Sequence, residues 1–188
     1  MNRILAAVLG CFFILGAASD GFCLMLPARI QDLVKRSDVI IIGEVLDVTI
    51  EENTYVRIKV IQYLKNKPND ERSEVIIRTL LHGKEADETI WYQTDEPEFE
   101  AGEQVFLFLK KDTGIAPFGG KYTTKDYIVS GNLHGKHQIK DNKVDYRDTM
   151  TGKSASIPLE RFIPELKKVI EDPIGHMPNF FNDEEDKK

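Results

Sequence analysis

The chain has 188 residues, with 25 Lys and Arg against 31 Asp and Glu, for a formal net charge of −6. Its length and an apolar share of 41% allow one ordinary domain with a real core, plus extensions, and exclude a disordered or polytopic chain. The acidic total, with no long basic run, excludes nucleic acid as the main partner.

Arg3 precedes an unbroken apolar stretch from Ile4 to Ala18, which closes on the small residues Gly16, Ala17 and Ala18. A positive start, a 15-residue apolar centre and a small-residue exit predict an export signal over residues 1–18, cleaved before Ser19 or Asp20. Fifteen apolar residues fall short of the about 20 that cross a bilayer. Cys11 leaves with the signal, so Cys23 is the one thiol of the mature chain and no intramolecular disulfide forms. The product touches a membrane only if the signal is retained or Cys23 is lipidated, and Phe22 before that Cys does not suit lipidation.

After a linker over 19–27, Ala28 to Arg36 places Ile30, Leu33 and Val34 on one helical face, and Ser37-Asp38 stops the helix. Val39 to Val48 is β-branched enough for a strand buried on both sides, with Gly43 marking a bend or bulge. Glu51-Glu52-Asn53 turns the chain into a second strand, where Val56, Ile58 and Val60 alternate with Arg57 and Lys59. A polar connector around Pro68 leads to a third strand over Val75 to Leu81. Glu103 to Lys110 reads as a strand with Val105, Leu107 and Leu109 on one face and Phe106 and Phe108 on the other. Tyr127 to Ser130 is a shorter one.

Gln138 to Tyr146 reads as a hairpin turning at Asp141-Asn142. Leu159, Phe162, Ile163, Leu166, Val169 and Ile170 recur at helical spacing behind Pro158, and Pro164 is expected to start a new turn or kink that helix. Residues 173–188 lack periodicity, end in an acidic run, and are expected to be a disordered tail. Six or so strands with only two helices cannot cover a parallel sheet. A small antiparallel barrel of five to six strands, flanked by an N-terminal and a C-terminal helix over 28–172, hides its own edges.

The order of elements then points to a family. The segments Ser37 to Val45, Tyr55 to Lys65 and Phe99 to Leu109, following a signal and a Cys, resemble the netrin-like barrels related to tissue inhibitors of metalloproteinases, an OB-type fold with secreted microbial relatives. The resemblance spans roughly Cys23 to Tyr146. It implies a five-stranded Greek-key barrel with a helix packed on it and a non-enzymatic, protein-binding role. In the inhibitors, a mature N-terminal Cys chelates the protease zinc through its amine and carbonyl. Cys23 is the position here that would correspond.

Three constellations are candidates for function. Glu85 to Glu103 carries eight carboxylates and no basic residue, and encloses Trp91 and Tyr92. Trp91, Tyr92, Asp95, Glu96 and Glu98 form a candidate contact surface for a basic protein partner or a glycan. His134 and His137 would be metal ligands if the backbone turned them together, with Asp126 or Asp141 completing the set. On one strand that spacing puts them on opposite faces. No nucleophile elbow, phosphate loop or zinc-protease helix motif occurs. The expected function is an exported, secreted or cell-envelope binding module without cofactor. It would act as a monomer on another extracytoplasmic protein. The alternatives are a metalloprotease inhibitor acting through Cys23 and a metal-assisted hydrolase around His134 and His137.

Overall fold

The computed structural model describes residues 28–66, 71–79, 82–84, 90–92, 95–114, 125–148 and 151–181, with backbone alone at 82–84 and 90–92. Cys23 lies outside these residues. Helix α1 (Ile30–Arg36) buries Ile30, Leu33 and Val34, the face its spacing predicts. The Ser37 hydroxyl caps its end by donating to the Leu33 carbonyl at 2.6 Å. Lys65 Nζ reaches over from the barrel to donate to the Val34 and Ser37 carbonyls at 2.7 and 2.6 Å. A cation on the last carbonyls of a helix satisfies acceptors that have no partner within it.

Strands β1 (Val39–Ile50), β2 (Thr54–Lys65), β3 (Glu74–Thr79), β6 (Gln104–Lys111) and β7 (Tyr127–Val129) form a barrel in the order β1-β2-β3-β7-β6, closed by pairing of β1 with β6. This is the mainly-β, OB-type barrel that the sequence predicts. One pair departs from the expected antiparallel plan: β3 and β7 run parallel, with Ile77 opposite Tyr127. A parallel pair needs a long crossover, and the chain from β3 to β7 supplies one by passing through β6 on the way.

Two short strands that the sequence pattern did not reveal, β4 (His82–Lys84) and β5 (Ile90–Tyr92), pair with each other as a separate sheet. Strands β8 (Lys136–Lys140), β9 (Lys143–Arg147) and β10 (Ser154–Pro158) extend the main sheet outward from β6. The β8–β9 turn holds Asp141 and Asn142 at φ 51° and 61°, the paired left-handed geometry of a tight hairpin. Strand β10 was also not anticipated.

Strand β6 is the branching point. One of its edges is occupied throughout by β1, from Leu109 opposite Val39 to Gln104 opposite Glu44. The other edge is divided between β8, which takes Gln104 to Leu107, and β7, which takes Leu109 to Lys111. Between them the chain turns through Ser130 and a 3-10 segment, Asn132–Gly135. Gly135 there leaves no room for a Cβ against the Ser130 carbonyl.

Because β1 and β6 are covered on both faces, their side chains sort into two cores. Val39, Ile41, Val105, Leu107 and Leu109 fill the barrel with Val56, Ile58, Val75 and Ile77. Ile40, Ile42, Phe106 and Phe108 point the other way, into a second core with α1, β8–β10 and helix α2 (Leu159–Glu171). Phe106 meets Phe108 and Phe162 edge-on at 5.2 Å each, a favoured ring geometry.

One expectation for the C-terminal part is corrected. Pro164, expected to start a new turn or kink the helix, lies within a helix that runs on from Leu159 to Glu171. It is near the N-terminal end, where its missing N–H forgoes one bond, and Phe162, Leu166 and Val169 are buried around it. Residues 173–181, expected as part of the disordered tail, fold back onto the second core. Phe180 is 3% exposed and stacks on Phe162 at 4.8 Å, while Arg161 donates to the Phe180 carbonyl at 3.2 Å. An aromatic plug with its carbonyls tied explains the order that composition missed. Residues 182–188 lie outside the described residues.

Gly43 marks a register shift between β1 and β2, as its position predicts. A Cβ there would collide with the Ile58 side chain and sit 3.0 Å from the Lys59 carbonyl. Gly43→Ala is therefore expected to lower stability by about 1–3 kcal/mol through overpacking, read from the urea midpoint.

Candidate functional site

The loop following β5 carries the acidic candidates. From 97 to 100 it alternates: Pro97 and Phe99 are buried, and Glu98 and Glu100 are exposed. Phe99 belongs to the barrel core. Lys136 lies across it, with Nζ 4.5 Å from the Phe99 ring centre, in an ion pair with Glu103 at 2.6 Å, and bonded to the Glu98 carbonyl. The Glu100 N–H donates to the same Glu103 carboxylate at 3.0 Å. Gly102, at φ 86°, donates to the Val45 carbonyl at 2.8 Å, and Val45 donates back to Glu103. Both ends of the segment are thus tied to β1 and β8.

Of the sequence candidates, Asp95, Glu96 and Glu98 lie together in this loop, but with different surroundings. Asp95 accepts from the Asn132 side chain at 3.2 Å and is half-buried. Glu96 is also half-buried, and its charge acts on the Arg78 guanidinium. Glu98 is the exposed one. Trp91 and Tyr92 stand on β5, opposite Gly83 and His82, and their side chains lie outside the described residues.

His134 and His137 do not form a metal centre with the expected carboxylates. Among the described residues, no three His, Cys, Asp or Glu come together in a way that could hold a metal ion. Asp126 is committed elsewhere: it pairs with Arg72 at 2.5 Å and accepts from the Ile76 N–H at 2.8 Å. Asp141 sits at the tip of the β8–β9 turn. His134 lies in the 3-10 segment, and burial followed by nearby Arg147 pushes its pKa down. His137 points into the second core, its ring 5.4 Å from Tyr146 and about 6 Å from Phe106 and Phe108. Burial pushes its pKa down to about 4, against a bond to the Asp145 carbonyl that favours the protonated ring.

Sequence reasoning missed the buried ion pair that joins β3 to the chain leaving β6. Arg78 and Asp112 are 3% and 0% exposed and meet through two parallel bonds of 2.7 and 2.8 Å. Asp112 also accepts from the Gly114 and Lys125 N–H groups at 2.9 and 3.1 Å. Burial opposes its charge, but these donors hold its carboxyl below the usual range. The available signal was an Arg directly after the apolar run Val75-Ile76-Ile77, which a solvent-facing position would equally explain.

No family model matches the chain, and no curated protein matches it in sequence. What fold and surface together define is a small OB-type barrel carrying a braced acidic loop. No helix among the described residues is long and apolar enough to cross a membrane.

Two outcomes are expected here. Asp112→Asn removes the carboxylate that holds the buried Arg78 through two bonds and should cost about 3–5 kcal/mol in chemical unfolding. For His137, the folded pKa lies below the unfolded value of about 6.5, so the unfolded chain binds the proton first. Its contribution is fully present above about pH 6.5 and is lost as pH falls toward 4, by roughly 3 kcal/mol. Urea unfolding between pH 7.5 and 4 measures this, and His137→Phe should remove that part of the slope.

Proposed function

We propose that the protein is an exported, non-catalytic binding module of netrin-like type, which engages the basic face of another extracytoplasmic protein through the acidic loop at 95–103. One observation supports this most directly: the loop's backbone is fastened by Phe99, Lys136 and Glu103 while the Glu98 and Glu100 side chains face outward. A segment already held in shape loses little freedom on association, so more of its contact energy appears as affinity. Exposed carboxylates on a chain of net charge −6 also attract a basic partner over distance and speed encounter. The candidate residues Trp91 and Tyr92 immediately precede the loop and would supply the apolar centre of the contact.

Capture from the extracytoplasmic fraction of the producing host, with wild type and Glu98→Lys/Glu100→Lys in parallel, tests the reading. A specific partner should be retained by wild type and bound at least about tenfold more weakly by the variant, mainly through slower association that added salt reproduces. Equal retention by both proteins would sink the assignment of the loop. The mature N-terminus separates this reading from zinc chelation by Cys23. A start at Ser19 or Asp20 supports the loop, whereas a start at Cys23 with a free amine favours the inhibitor.

A further inference from the structure

Strand β10 ends the main sheet. Among the described residues it has β9 on one side and no strand on the other, while barrel closure leaves the sheet no second open end. The ladder to β9 fixes which backbone groups are committed. At one end the Asp148 N–H donates to the Lys153 carbonyl at 2.8 Å, and at the other the Leu159 N–H donates to the Asn142 carbonyl at 3.0 Å. In an antiparallel pair such bonds recur at every second residue, so Lys153, Ala155, Ile157 and Leu159 direct their backbone groups to β9. Ser154 and Ser156 turn their N–H and C=O groups the other way. Both residues are exposed, and neither has a further hydrogen bond among the described residues. Pro158 closes the edge, since it has no N–H to offer. A row of uncommitted N–H and C=O groups is a template for another strand.

We infer that this edge is a dimer interface, in place of the expected monomer: β10 pairs antiparallel with β10 of a second copy about a two-fold axis at Ala155. In that register Ser154 of each copy lies opposite Ser156 of the other, and both residues donate and accept. A two-fold contact needs a surface that complements itself, and the side chains along the edge do so. Arg147 stands opposite Ser154 and Asp145 opposite Ser156, all exposed on one face. The two-fold sets the Arg147 row of one copy in line with the Asp145 row of the other, across serines too short to intervene. Neither charge has an ion-pair partner of its own among the described residues. An axis at Ser156 would align Asp145 with Asp145 and Arg147 with Lys143, and would oppose Ser154 to Pro158, which cannot donate. An axis at Ser154 would align Arg147 with Arg147. Hydrogen bonding and charge thus select the same register, which favours a second copy over an unrelated strand. Pairing covers the open end of both sheets, so assembly stops at the dimer. Nothing in this contact uses residues 95–103.

The test takes the exported chain as its host releases it and follows its mass by analytical ultracentrifugation from about 10 µM to about 1 mM, the range expected of a short ladder. The mass should rise reversibly toward twice that of the monomer. Arg147→Asp should weaken association at least about threefold, and adding Asp145→Arg should restore it. Ser156→Pro removes an outward N–H that an edge strand can lose without unfolding, and should weaken the dimer at least about tenfold. In a Cys23→Ser background, Ala155→Cys should oxidise to a covalent dimer, because partners of this kind lie about 4.5 Å apart at Cα. Ser156→Cys should not, since its two copies would lie beyond the roughly 7 Å that a disulfide spans. Should Ser156→Pro fail to fold, the two cysteine variants decide the matter. A monomer at every concentration overturns the inference. So does a dimer indifferent to Ser156→Pro, or one that cross-links through Ser156→Cys instead, because another surface or register would then carry the contact.

Discussion

The ladder between β1 and β6 closes the barrel, and nearly every other contact in the molecule depends on it. Once Val39 to Glu44 lie against Leu109 to Gln104, both strands have neighbours on each edge and cover on each face. Alternate side chains then have no route to water, so one strand pair must serve two cores at once. That is why, of the seven consecutive positions from Val39 to Val45, all but Glu44 are apolar or Gly. It is also why β6 carries small and branched residues toward the barrel and two Phe toward the helices. The helices dock where they do because Phe106 and Phe108 leave an apolar face that α1 and α2 must hide.

A second theme is that cations with long apolar stems tie the irregular parts to this frame. Lys65 closes the end of α1, Lys136 spans Phe99 to Glu103, and Arg78 holds Asp112 and with it the chain leaving β6. Each places its charge on carbonyls or a carboxylate. For Arg78 the surroundings are dry enough that the pair works as a two-sided constraint: desolvating both charges is expensive, so its effect is felt mainly when one partner is removed. Burial works against the charge of Lys65 as well, holding its pKa below the usual lysine value despite nearby Asp38.

The acidic loop and the aromatic core use successive residues of β8 differently. Lys136 turns toward Phe99 and the loop, and the next residue, His137, turns into the aromatic core. Strand alternation alone sends neighbours in sequence to opposite faces. The one strand therefore fastens a surface proposed to meet a protein and sends His137 among the aromatic rings of the second core. On the next strand Tyr146 meets Phe180 of the returning C-terminal segment at 4.9 Å between ring centres.

Much of the frame was legible in the sequence because it follows from local rules. The alternation in β2 and β6, the buried face of α1, the bulge at Gly43 and the Asp141-Asn142 turn each depend on residues a few positions apart. The elements that escaped notice depend on distant partners. Strand β10 is short and has little apolar pattern of its own, and it exists because β9 offers it an edge. Phe180 looked like part of a loose tail because nothing near it in sequence announces the stack on Phe162. His134 and His137 looked like a pair by spacing, but backbone geometry sent one to a 3-10 turn and the other into a core. By itself, then, the sequence determined element types, core-facing positions and the closed-barrel class, since sterics and hydrophobic period act over short range. Only the tertiary structure decided the parallel pairing of β3 with β7, the sharing of β6's edge, the buried Arg78–Asp112 pair and the unmatched nitrogen of His137. Those depend on which remote segments meet, and no local preference specifies that.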